Sequence, residues 1–187
     1  VLLDAGAVDS YADEWGRPPL TLAVKGGHDD MVAELLRRGS LTVHDPMDFY
    51  GATVLHLAAE KGHLGLVETF LRDGAEVNVI REPQQQTPLH SAAICGPNAE
   101  AITMALLAAG ADVAAEDHFS ESALCMTSDV AVVRALVAAG ACFHWREGHG
   151  PPVEMAIERD DVEELSVFLE LGVDPNHREP VSYPPLS

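Results

Sequence analysis

The sequence predicts an all-α solenoid, a row of helix–turn–helix units stacked one on another. Three observations predict it. Gly6, Gly39, Gly74, Gly110, Gly140 and Gly172 recur about every 33 residues. Leu20, Leu55, Leu89, Leu124 and Val153 recur in the same rhythm, one before each of the last five glycines. Each interval holds two short apolar stretches with helical periodicity, neither long enough to be stable alone in water. Such a unit is stable only against neighbours like itself.

The clearest unit runs from Ala52 to Asn78. Thr53 can cap the first helix, because its hydroxyl can accept an orphan backbone N–H. Leu55, Ala58 and Ala59 fall on one face, and Gly62-His63 turns the chain. Leu66, Val67, Phe70 and Leu71 then give the second helix an apolar stripe. Gly74 ends it, because a residue just past a helix often takes a left-handed conformation that glycine adopts most cheaply.

In chain order, residues 1–12 read as the tail of a partial unit. Complete units follow at 13–47, 48–81, 82–116, 117–146 and 147–178, and 179–187 starts another. In the first, Pro18 and Thr21 occupy the places of Thr53 and His56, and Asp29 to Arg38 forms the second helix with Met31, Val32, Leu35 and Leu36 inward. The connection from Gly39 to Leu55 is two residues longer than that from Gly6 to Leu20 and carries Pro46, Phe49 and Tyr50. The third unit opens cleanly at Thr87 and has extra residues near Gly96-Pro97-Asn98, between its helices. The fourth is short. It lacks the Gly-His turn, so Ser128-Asp129 makes the turn and caps a helix over Val130 to Ala138, after a shortened first helix. The fifth starts at Pro151-Pro152-Val153, with its outer helix over Val162 to Leu171.

Thr53-Val54-Leu55-His56-Leu57-Ala58-Ala59 and Thr87-Pro88-Leu89-His90-Ser91-Ala92-Ala93, with Gly62-His63, Gly74-Ala75, Gly110-Ala111-Asp112-Val113 and Gly140-Ala141, resemble the ankyrin repeat. The resemblance covers nearly the whole chain. It implies an ankyrin-repeat solenoid with β-hairpin-like fingers between the helix pairs. It also implies structural hydrogen bonds from His56 and His90, and a concave face of finger tips and the exposed side of the first helices that binds a partner protein. On that pattern Glu14, Trp15, Arg17, Phe49, Tyr50, His118 and Phe119 stand on the fingers. Lys25, Glu60, Lys61, Ile94, Cys95, Glu158 and Arg159 stand on the first helices. Of these, Trp15, Arg17, Lys25, Tyr50, Glu60, Ile94, Phe119, Glu158 and Arg159 are the partner-binding candidates. Phe49 and Trp145 are read instead as packing between fingers.

Composition narrows the partner. The net charge is −19 over 187 residues. Phosphate recognition needs a basic footprint, so nucleic acid is excluded as a direct partner, and an anionic membrane surface is disfavoured for the same reason. A basic protein partner fits the charge, although an acidic surplus also serves plain solubility. Three cysteines at Cys95, Cys125 and Cys142 match no disulfide framework, which points to a reducing, intracellular compartment, the cytoplasm or the nucleus. No stretch is apolar for the roughly 18 residues of a membrane span.

The residues nominate no chemistry. Gly-rich phosphate loops and nucleophile elbows are lacking, and no carboxylate pair is singled out. Cys95 and Cys125 read as small apolar fillers. Cys142, His144 and His149 are the one cluster of metal-ligand types, but no paired motif completes a zinc set. The expected cofactor and metal content is none. The main reading is a non-enzymatic protein-binding scaffold. The alternative makes this array the recognition segment of a larger enzyme, such as a ubiquitin ligase or a kinase, with catalysis elsewhere. Both termini fall inside units, so the chain is expected to be a piece of a longer protein with apolar cut ends at Leu2, Leu3 and Leu186.

Overall fold

Helices α1 (Pro19–Lys25) and α2 (Asp29–Arg38) run back to back and form the first of a series of helix pairs in this computed structural model. The structure describes residues 13–38, 41–141, 156–157 and 160–170. Pairs α3 (Val54–Glu60) with α4 (Leu64–Arg72), α5 (Pro88–Ala93) with α6 (Ala99–Ala108), and α7 (Ala123–Met126) with α8 (Val130–Ala138) follow. Helix α9 (Val162–Glu170) is the last described element; it ends at Glu170, against the expected Leu171, which lies outside the described residues. The inner helices α1, α3, α5 and α7 stack in order, and the outer helices α4, α6, α8 and α9 stack behind them.

Burial shows why helices this short hold. Every residue from Val54 to Ala59 in α3 is buried, and so is every residue of α5. The expected single apolar face on α3 is therefore an underestimate, because α1 and α5 cover it from two sides while α4 covers it from a third. Full burial of this kind stabilises by about 1.5–3 kcal/mol for a large aliphatic side chain. Leu66, Val67 and Phe70 close the outer layer of the second pair as expected.

Polar bonds tie each pair to the next. The Thr53 backbone N–H reaches Nδ1 of His56 at 3.2 Å. A backbone N–H can only donate, so Nδ1 is the acceptor and the ring proton sits on Nε2. It is donated to the Gln86 carbonyl in the following finger at 3.0 Å. His90 repeats the arrangement, with Thr87 N–H at 3.1 Å and the Glu121 carbonyl at 3.1 Å. Thr21 stands in the register of these histidines and donates to the Met47 carbonyl at 3.0 Å. On the turn side, His63 Nε2 donates to the Lys25 carbonyl (3.1 Å) and Asn98 Nδ2 to the Gly62 carbonyl (2.9 Å).

One expectation needs correction. Met31 is 54% exposed, whereas Leu66, in the same register one repeat later, is buried. Leu66 lines a cleft with Val32, Ala33 and Leu36, so that position faces the preceding repeat, and for Met31 no described repeat lies on that side. The β-hairpin-like fingers contain, among the described residues, only single antiparallel bridges, Arg81 with Gln86 and Glu116 with Ser122. The fourth pair follows the reading: α7 has four residues, and Asp129 caps α8 by accepting the N–H groups of Ala131 (2.8 Å) and Val132 (3.3 Å). The suggested cut ends at Leu2, Leu3 and Leu186 lie outside the described residues.

Candidate interaction face

The fingers share one tip geometry. Asp13 Oδ1 accepts the N–H groups of Trp15 (2.9 Å) and Arg17 (3.0 Å). Asp48 Oδ1 accepts those of Tyr50 (3.0 Å) and Ala52 (3.1 Å). Asp117 Oδ1 accepts those of Phe119 (2.8 Å) and Glu121 (3.0 Å). The side chain thus organises its own turn, as short acidic residues do. It throws the residue two positions on outward: Trp15 is 55%, Tyr50 59% and Phe119 56% exposed. The next residue takes a positive φ in each of the four described fingers, at Gly16, Gly51, Gln85 and Ser120. This sharp bend turns the chain back toward the inner helix. In the third finger Glu82 takes the aspartate register and Gln84 the tip, so the aromatic row is interrupted once.

Adjacent tips touch. The Tyr50 carbonyl accepts the N–H of Glu82 (2.8 Å), and the Gln84 carbonyl accepts that of His118 (2.7 Å). Phe49, read from sequence as a packing residue, lies over Gly16 of the first finger; a methyl group there would run into its ring. It is nonetheless 77% exposed, so it adds to the open aromatic surface. His118 meets the Phe119 ring edge-on, with centroids 5.5 Å apart. Trp145 lies outside the described residues.

A second row follows the C-terminal ends of the inner helices, where Lys25, Glu60 and Ile94 stand in one register. Lys25 is half-buried and Ile94 is 52% exposed. Glu60 is paired with Lys61 (3.0 Å) and with Arg81 of the third finger (3.2 Å). Burial works to raise the Glu60 carboxyl; the Lys61 and Arg81 contacts outweigh it and hold the group below its ordinary range. Arg81 also donates to Gln86 Oε1 at 3.0 Å, which closes the third finger from its side. Sequence reasoning missed Arg81 and the aspartate row. The signal for the latter was present: Asp13, Asp48 and Asp117 each stand two residues before a tip aromatic. Glu158 and Arg159 lie outside the described residues, as do Cys142, His144 and His149.

Arg17 is committed within its own finger. Its Nε and Nη2 reach Asp13 Oδ2 at 2.8 and 2.7 Å, and its Cζ sits 4.5 Å above the centre of the Trp15 ring. That hydrogen bond holds the Asp13 carboxyl below its ordinary range. Among the described residues Cys95 and Cys125 form no disulfide, and burial pushes the Cys95 thiol up, away from the reactive thiolate. Among the described residues no His, Cys, Asp and Glu side chains gather in a group able to hold a metal ion. The face can bury rings and accept cations.

The stacked helix pairs, the bridging histidines and the finger row define a repeat scaffold. A family model for ankyrin repeats, in three copies, matches residues 1–81 and 41–117. The chain belongs to the ankyrin-repeat family, whose repeats are protein–protein interaction modules. Similar proteins are of several kinds. Alpha-latrotoxin-Lg1a of Latrodectus geometricus is 37% identical over 49% of this chain and 7% of its own length. Human transient receptor potential cation channel subfamily A member 1 is 32% identical over 65% of this chain and 11% of its own. NF-kappa-B inhibitor alpha of Sus scrofa is 38% identical over 44% of this chain and 27% of its own. The chain therefore matches only a small part of these relatives. Among the described residues no helix is long and apolar enough to cross a membrane.

Proposed function

We propose that this chain holds a basic protein partner on the face formed by its finger tips and inner-helix ends, and that it does so as a binding scaffold without catalysis of its own. The row of outward rings at Trp15, Tyr50 and Phe119, repeated in one register on three fingers, is the observation that carries this reading. Large exposed rings set by backbone geometry cost little conformational entropy to bury and are typical interface anchors. Lys25, Glu60 and Ile94 extend the face toward the helices, and in the sequence Glu158 stands in the corresponding register of the fifth repeat with Arg159 next to it. The net charge of −19 favours a cationic protein over nucleic acid through long-range steering. The NF-kappa-B inhibitor alpha, by its name, acts on another protein, which accords with a scaffold role. We place that role inside the cell, where free thiols persist.

Affinity capture with two baits tests it. One bait is the chain itself, and the other carries Trp15→Ala, Tyr50→Ala and Phe119→Ala, with thermal melting to match their stabilities. The expected outcome is a partner held by the first bait, weakened by salt and lost from the second. Equal capture by both would remove the face from the account.

A further inference from the structure

The outer row of helices opens at one place. Helices α4, α6, α8 and α9 pack each against the next, but α2 stands off from α4 and leaves a cleft of about 490 Å³ between them. The residues facing the preceding outer helix explain the opening. On α6 and just past its end they are Ala105 and Ala109, and in the α8 repeat Ala135 and Ala139; the same two places in the α4 repeat hold Thr69 and Asp73, which line the cleft. Small side chains let helices approach closely, and larger polar ones hold them apart. Val32, Ala33 and Leu36 of α2 and Leu66 of α4 make the cleft's apolar floor. Its ends are acidic. Asp29 and Asp30 stand exposed in the first turn of α2, and their side chains have no hydrogen-bond or ion-pair partner among the described residues. Asp73 stands at the other end, with Arg72 beside it at 4.0 Å. Arg37, the cation of the lining, is already bound to Glu34 by hydrogen bonds of 2.9 and 3.0 Å.

We propose that the α2–α4 cleft holds an amphipathic helix of a basic protein, with its apolar stripe on the floor and a lysine or arginine at each end of that stripe. This surface is separate from the finger face and stands without it. Apolar side chains laid on the floor are removed from water, which supplies the anchor. The occupant is a helix because the cleft lies between two helices whose backbone groups are already paired. An extended chain would set its own N–H and C=O groups on an apolar floor without partners, whereas a helix pairs them internally and lays its ridge into the groove. The charges fix its ends. The cleft runs the length of α2, ten residues, which is about 15 Å, so the two cations stand about three turns apart on the bound helix. Acid at both ends, in a chain of net charge −19, selects against an acidic helix.

Fluorescence anisotropy with a labelled, lactam-braced alanine-based helix tests this. One face of the helix carries two leucines a turn apart, with a lysine one turn before them and another one turn after. The first counterpart has glutamates for the lysines, the second has serines for the leucines, and the third has a central proline that breaks the helix. The lysine–leucine helix is expected to bind about tenfold more tightly than any counterpart. Ala33→Gln, which sets an amide into the cleft from an exposed helix position, is expected to weaken it about tenfold. Met104→Gln, the same change of length and polarity in the same register on α6, is expected to leave it in place. Asp29→Lys with Asp73→Lys is expected to transfer the preference to the glutamate helix, and Glu76→Lys with Glu100→Lys, away from the cleft, is not. Variants are compared only where they melt with the parent chain. Tyr50→Ala is expected to change nothing here, which keeps this surface apart from the finger face. Equal binding of the lysine and glutamate helices would show attraction to bulk charge or apolar surface alone and overturn the proposal. So would an affinity indifferent to Ala33→Gln, equal binding of the proline-broken peptide, or no binding of the lysine–leucine helix at low salt.

Discussion

Thr103 shows what a single residue reveals when the chain supplies its own comparisons. It is fully buried on α6, and its hydroxyl has no hydrogen-bond partner. Val32, Val67 and Val133 occupy the same register on α2, α4 and α8 and are also buried. Valine has nearly the same shape without the unpaired hydroxyl, whose burial costs about 1–3 kcal/mol on mutational scales. Thr103→Val is therefore expected to stabilise the chain by about 1 kcal/mol, read as a shift of the urea midpoint with an unchanged slope. A loss of stability would mean that the hydroxyl has a partner. The repeat spacing made this position legible as core in the sequence, but the missing bond was not legible, because a buried threonine often donates to its own helix. Met31 is the opposite case. Its sequence environment matches that of Leu66, and only the stacking order separates an exposed residue from a buried one.

Among the elements, the helices whose ends are fixed by local chemistry were the ones the sequence could place. Helix α8 begins where Asp129 accepts two N–H groups and ends just before Gly140, a position with positive φ. The fingers were less legible. Their shape depends on an aspartate that binds the turn and on one left-handed residue, and Gln85 and Ser120 fill that place without the glycine that would announce it. The histidine bridges were legible as a resemblance, and the structure supplies their physics. His56 is fully buried, and burial, the largest cause, pushes its ring down from 6.5 to about 4. The folded ring therefore stays neutral where the unfolded one takes a proton. Stability from this group is complete above about pH 6.5 and is lost as pH falls from there toward pH 4, by about 3 kcal/mol at most. His90 is shifted in the same direction, first by burial. Urea titrations between pH 7 and pH 4 are expected to show the midpoint falling, and His56→Gln is expected to flatten part of that slope. A wild-type slope retained in the variant would assign the acid sensitivity to other groups.

The molecule as a whole is a scaffold whose constant parts and variable parts separate cleanly. The core positions of the inner helices are buried in one register, with His56 and His90 bridging and Thr21 in the same place on α1, while the tips and inner-helix ends change from one finger to the next: Trp15, Tyr50, Gln84, Phe119; Lys25, Glu60, Ile94. A constant frame with a varied edge is how repeat proteins present a binding surface. The family relation accounts for the frame. The similar proteins include a toxin, a cation channel and an inhibitor, so the frame leaves the partner open, and on the proposed reading the edge selects it.

Site-directed photo-cross-linking tests the central claim most directly. A benzoyl-phenylalanine placed at Tyr50, at Phe119 or, on the outer helix α6, at the exposed Met104 samples the two sides of the scaffold. Each variant is irradiated in cell extract. The account predicts one cross-linked protein shared by positions 50 and 119 and absent from position 104. A cross-link from position 104, with none from 50 or 119, would contradict it and move binding to the outer helices.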